Sequence, residues 1–264
     1  MRAYDLRFGG STWGFFCGDD PTSWMLPSDA VRAIVEAGLG VEVWPTRSPS
    51  DPDPCPEEVE RMQAACTDAP FVSVHMRGRY WNWNPVNLRK EIDFAAAVGA
   101  QKLVIHPICL GLVDPDDRLE VGEVRRVADY AATRGVRLAV ENVKDSIWIL
   151  DRVLDEIGVD PEETNLGICV DVGHAHLSRD AGRNPVCEYL ERYANAMVHL
   201  HLHDNAGVRD EHLALGEGTI DWRRVVGTLT ACGYAGTSAL EIHGGEGAPL
   251  AAIENSVGVL QALA

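Results

Sequence analysis

No two cysteines of this 264-residue chain stand in CxxC spacing, and the seven present (Cys17, Cys55, Cys66, Cys109, Cys169, Cys187, Cys232) are an odd number. That pattern argues against a disulfide framework or a thiolate zinc site and fits a reducing, cytoplasmic setting. Long hydrophobic runs are also missing: none approaches the roughly 20 residues that a membrane span requires. The opening "MRAYDLRFGGSTW" lacks the apolar centre of a secretory signal. Basic residues are scarce, 23 Lys and Arg against 40 Asp and Glu, for a formal charge of −17. Such a field repels polyanions. It weighs against nucleic acid as a partner but leaves it open, because bound cations would neutralise several of the acids. No GxGxxG follows the first apolar run, where "RFGGSTWGFF" spaces its glycines differently, which counts against an open dinucleotide-binding sheet. No stretch is rich enough in Pro, Gly or Ser to act as a linker, so residues 1–264 are expected to form one domain.

What is there alternates regularly. Eight short apolar runs, "LRFGGSTW", "LGVEVWP", "FVSVHMR", "KLVIHPI", "VRLAVENV", "LGICVDVG", "MVHLHLHD" and "TSALEIH", are separated by segments of helical period. Val186, Tyr189, Leu190 and Tyr193 recur at i, i+3, i+4, i+7, as do Trp222, Val225, Val226 and Leu229. Val31, Ile34 and Val35 mark another helix, Ile149, Val153 and Ile157 a further one, and Leu250, Ile253, Val257 and Leu260 a closing one. Eight buried strands alternating with amphipathic helices predict an α/β fold, a single (β/α)8 TIM barrel.

From the third strand onward, the predicted strands end in His75, His106, Glu141, Asp171 followed by His174, His201 and Glu241. Any one of these, taken alone, reads best as a satisfied buried group. Together they do not, because a barrel brings all its strand C-termini to one mouth, and unpaired buried charge costs several kcal/mol. Metal coordination removes that cost. In "VHLHLHD" the two-residue period puts His199, His201 and His203 on one face. His201 is at the height of the centre, His199 is structural, and His203 begins the loop. Asp210 and His212 form a DxH pair able to hold one ion together. The glycines of "LGEG" suit a turn carrying this pair over the mouth before Asp221 caps the helix at Trp222.

The motifs "VSVHMR", "LVIHP", "LAVENV", "CVDVGHAH", "HLHLHDN", "DEHLALGEG" and "ALEIH", in this order over about residues 6–245, resemble the xylose isomerase-like TIM-barrel superfamily. That superfamily holds sugar isomerases and epimerases and the endonuclease IV family. The resemblance to ketose epimerases implies one divalent ion held by Glu141, Asp171, His201 and Glu241. The resemblance to endonuclease IV implies three zinc ions that add His75, His106, His174, Asp210 and His212. Imidazole suits zinc, and a carboxylate-rich core suits manganese or magnesium.

Two chemistries follow. In the isomerase or epimerase reading, the ion stabilises an enediolate while Glu141 and Glu241 remove and return a proton, and His174 orients substrate oxygens. Trp13, Trp44 and Trp81 would wall a small carbohydrate, with Arg77 or Arg79 available for a phosphate or carboxylate. In the alternative, the chain is a zinc phosphodiesterase acting on abasic-site DNA. Against this stand the net charge and the absence of a Lys/Arg-rich strip. A non-catalytic barrel that binds metal or sugar is a third reading, and pairing of outer helices into a homo-oligomer is the family habit.

Overall fold

The computed structural model describes residues 6–17, 24–158, 160–243 and 249–263. Eight strands, β1 (Arg7–Ser11), β2 (Gly40–Val43), β3 (Val72–His75), β4 (Lys102–Ile105), β5 (Arg137–Glu141), β6 (Leu166–Asp171), β7 (Met197–Leu202) and β8 (Thr237–Leu240), pair in sequence order. Every pairing is parallel, and β8 returns to β1 to close the barrel. Each predicted apolar run contains one strand.

The two-residue strand period explains the layering. Val41, Val43, Val74, Leu103, Ile105, Leu138, Val140, Ile168, Val170, Leu200, Leu202 and Leu240 face outward and join the helices in one core. Each such side chain contributes about 1.5–3 kcal/mol when fully buried. Their sequence neighbours face inward. There Val104, Ala139 and Cys169 form a small separate cluster, beneath a layer of buried polar groups that includes Glu42, His75, Glu141, Asp171 and His201.

The helices are α1 (Pro27–Glu36), α2 (Pro56–Ala65), α3 (Pro85–Ala97), α4 (Val121–Thr133), α5 (Ile147–Ile157), α6 (Pro161–Thr164), α7 (Val172–Leu177), α8 (Pro185–Arg192), α9 (Trp222–Ala231) and α10 (Pro249–Leu263). The five read from periodicity correspond to α1, α5, α8, α9 and α10. Several begin with Pro in the first turn, where its missing N–H costs nothing. Asp221 caps α9 by accepting from the Arg224 N–H at 3.1 Å, as its position before Trp222 predicts. Among the described residues, no helix is long and apolar enough to cross a membrane.

Candidate metal centre

The strand-end groups meet at the C-terminal mouth. Glu141, at the end of β5, lies between two sets of ligands. Its Oε2 is 3.2 Å from His75 Nε2 and 3.2 Å from His106 Nε2. Its Oε1 is 3.3 Å from His201 Nδ1. His201 Nδ1 is also 3.8 Å from Asp171 Oδ2 and 3.7 Å from Glu241 Oε2. A third group gathers over the rim, where His174 Nε2 and His212 Nε2 approach Asp210 Oδ2 at 3.1 and 3.2 Å. Eight of the nine sequence-predicted ligands lie in groups whose ligand atoms converge, with Glu141 common to two of them, and Glu241 approaches the inner group through His201 at 3.7 Å.

The second nitrogen of each ring fixes which nitrogen is bare. A carbonyl oxygen can only accept, so the Nδ1–H of His75 donates to the Met76 carbonyl at 3.0 Å, that of His174 to Asn142 at 3.0 Å and that of His212 to Glu241 at 2.8 Å. Each leaves Nε2 directed at the cluster. His201 is reversed: its Nε2–H donates to the Glu42 carboxylate at 3.2 Å, leaving Nδ1 for the centre. A ligand imidazole tied through its far nitrogen is a recurrent feature of metal sites. The buried atoms His201 Nδ1 and Asp171 Oδ2, both facing the centre, have no hydrogen-bond partner. A divalent cation fits these residues because it would satisfy both orphaned atoms.

Electrostatics separate the two glutamates. Burial raises the Glu241 carboxyl above its ordinary value, helped by Glu42 and Glu141 and opposed by His201. Burial acts the same way on Glu141, but His201 and His106 outweigh it and hold Glu141 well below the usual range. His174 and His201 are raised well above ordinary imidazole despite burial: Asp171 acts foremost at His174, and Cys169, Glu241, Glu42 and Glu141, in that order, act at His201.

Two residues that sequence reasoning left aside belong here. Glu42 interrupts the apolar run "GVEV" of β2, and that lone acid was the available signal. Fully buried, it accepts from His201 and approaches His199 Nε2 at 3.2 Å, while His199 Nδ1 contacts Thr237 Oγ1 at 2.7 Å. Both ring nitrogens of His199 are thus engaged by protein groups. His203, read as a loop residue, is buried beneath the rim with Nε2 3.1 Å from Asp171 Oδ1. It also lies near the third set, and its ring stacks on His212 with centroids 3.8 Å apart and planes within 15°. Its Nε2 thus faces Asp171, and His174, His203, Asp210 and His212 together converge closely enough to hold one ion.

A cavity of about 170 Å³ opens over the centre, lined by Trp13, Trp44, Trp81 and the ligands Glu141, Glu241, His174 and Asp210 among others. Trp44 stacks on His75 at 4.1 Å, Trp81 lies 4.3 Å from His106, and Trp13 4.4 Å from His212. Arg77 and Arg79, expected beside the substrate, are engaged elsewhere and do not line it. Arg77 is buried against Glu91 and reaches Asp53 at 3.0 Å, and Arg79 reaches the same carboxylate at 3.2 Å.

Comparison with known proteins agrees with this architecture. The uncharacterized protein MJ1311 of Methanocaldococcus jannaschii is 31% identical over an alignment covering 58% of this chain and 55% of that one. A probable endonuclease 4 of Thermoplasma acidophilum is 30% identical over 50% of this chain and 49% of that one. The chain thus spans about half the length of these curated relatives. The crystal structure of a D-tagatose 3-epimerase-like protein superposes with a TM-score of 0.66 at 22% identity, covering 97% of this chain and 96% of the other. The family described as xylose isomerase-like TIM barrel matches residues 31–263, and with a closed eight-stranded barrel around that match, the chain belongs to this family.

Proposed function

We propose that the protein is a divalent-metal-dependent isomerase or epimerase of a small sugar, moving a proton at a carbon between oxygenated neighbours. The observation that carries this reading is the pairing of Glu141 and Glu241 on separate strands across one Trp-walled cavity, with their proton affinities driven in opposite directions. Two carboxyls set apart by their surroundings suit one as base and the other as acid. A bound ion would draw electron density from adjacent substrate oxygens and so acidify the intervening C–H. Glu141, Asp171, His201 and Glu241 would hold it. His174, tied by Nδ1–H to the Asn142 carbonyl, presents Nε2 to orient a substrate hydroxyl or to hold a further ion. The indole faces offer apolar walls to the C–H side of a sugar ring. Among the described residues no Lys or Arg lines the cavity, which favours a neutral sugar over a phosphorylated one.

The endonuclease-like reading keeps one specific support, the presence of all nine candidate ligands, eight of them in converging groups, which the relative described as a probable endonuclease 4 makes pertinent. The test is metal content by elemental mass spectrometry on protein prepared without chelator, followed by assays on ketohexoses and ketopentoses. Interconversion of a ketose pair, lost in both Glu141→Gln and Glu241→Gln, is the expected result. Three tightly held zinc ions with cleavage of abasic-site DNA would establish the phosphodiesterase instead. Sugar binding without turnover would leave a binding barrel.

A further inference from the structure

The opposite end of the barrel holds a feature that the metal centre does not use. Lys102 and Arg137 begin β4 and β5 and are direct cross-strand partners. By the two-residue period both share the inward face with Val104, Ala139 and Glu141, and Arg7 occupies the corresponding position at the start of β1. All three line one cavity of about 450 Å³ at the N-terminal end. Like charges directly opposite on neighbouring strands are destabilising, and a chain with 40 acids against 23 bases has carboxylates to spare. Two acids, Asp160 and Glu162, line the same cavity. Among the described residues, no carboxylate lies within ion-pair distance of Lys102 or Arg7, and Arg137 is paired through one terminal nitrogen with Glu162 at 2.8 Å. Its Nε is buried without any acceptor. Burial, with repulsion from Arg7 and Arg137, pulls the Lys102 ammonium down to about 8.

We propose that this cavity is a binding site for a phosphate-type oxyanion, held by Lys102, Arg137 and Arg7. An oxyanion placed there supplies the acceptor that Arg137 Nε lacks and relieves the Lys102–Arg137 repulsion, a charge-assisted arrangement stronger than neutral hydrogen bonds. The volume exceeds what inorganic phosphate fills, so a phosphorylated small metabolite has room for its organic part. Because barrel chemistry sits at the C-terminal face, the bound anion acts on stability or as an effector, not as substrate.

The test is calorimetric titration of chelator-treated and metal-loaded protein with inorganic phosphate and separately with ribose 5-phosphate, at constant ionic strength. Saturable one-to-one binding in both metal states is expected, weakened at least tenfold in Lys102→Met and in Arg137→Gln. Tighter binding of the phosphosugar identifies a metabolite as occupant, and equal affinity identifies free phosphate. Folding is monitored by the thermal midpoint. In phosphate-free buffer Lys102→Met should match or exceed the native midpoint, since repulsion is removed, while phosphate should raise the midpoint of the native protein only. Binding that disappears on chelation, or that Lys102→Met leaves intact, locates the anion at the metal centre and overturns the proposal. Absence of saturable binding at tens of millimolar phosphate overturns it too.

Discussion

Glu42 sets the direction in which His201 faces the metal centre. By accepting the Nε2–H it leaves Nδ1 facing the candidate ligand cluster, and through His199 it is anchored to Thr237 on β8. Glu42→Gln retains the shape but removes the charge, so affinity at the site containing His201 should fall ~10–100-fold. Chelator competition measures this, and an unchanged affinity in a folded variant would remove Glu42 from the metal site's support. Protons provide a second test. In the metal-free molecule His174 and His201 are raised above ordinary imidazole, so they still carry protons near neutral pH. A raised group contributes stability below its unfolded value and loses it as pH rises through the folded value. The lowered carboxyls of Glu141 and Asp171 act in the other sense, losing their contribution as pH falls through their folded values. The chelated protein should therefore lose stability on the alkaline side, where uncharged imidazoles leave the carboxylates unscreened. Zinc uptake at neutral pH should release protons. Calorimetry in buffers of differing ionisation heat reads that release, and none at pH 7 would refute the assignment.

The loop between β7 and α9 is organised by a single carboxylate. Asp204 accepts from the N–H groups of Asn205 at 2.9 Å, Gly216 at 2.9 Å and Ile220 at 3.2 Å, and from Trp222 Nε1 at 2.8 Å. These bonds, with the Asp204–Leu213 bridge, carry Asp210 and His212 back over the mouth. Gly218 is required there because a Cβ would lie 2.2 Å from Asp204 Oδ1. Asp204→Asn should cost about 1–3 kcal/mol through its unsatisfied donors and weaken the rim set of ligands more than the inner ones. Equilibrium denaturation and site-resolved metal titration check both parts. On the other side of the barrel, Phe71 packs into the space left by two glycines: a Cβ at Gly40 would fall 2.2 Å from its ring. Gly40→Ala should destabilise by about 1–3 kcal/mol, with part recovered in the Gly40→Ala/Phe71→Leu double variant. Strictly additive effects would show that the two positions are not coupled.

Along the inward face of the barrel, charged side chains stand at its two ends. The mouth gathers carboxylates and imidazoles from seven strands, β2 to β8, and cations that bind the native state alone stabilise it by mass action. A metal at one hundred times its dissociation constant adds about 2.7 kcal/mol. Chelation should therefore lower the thermal midpoint and zinc should restore it. An identical midpoint with and without metal would mean that the mouth does not bind ions in the native state.

The barrel and the convergence of its candidate ligands at one mouth were readable in the sequence because both follow local rules. Strand period fixed which side of each run is apolar, and parallel topology puts all the strand ends at one mouth, so His75, His106, Glu141, Asp171, His201 and Glu241 could be assembled without coordinates. Helices with weak amphipathic patterns, such as "PEEVERMQAA" of α2, gave no such signal. Contacts between distant segments were beyond reach as well. Nothing local says that Glu42 meets His201 across 159 positions, that Arg77 is spent on Glu91 and Asp53, or that His203 stacks on His212. Periodicity determines which way a side chain faces its own sheet. What it then touches depends on closure of the barrel and the path of the loops, and those distances only the tertiary structure decided.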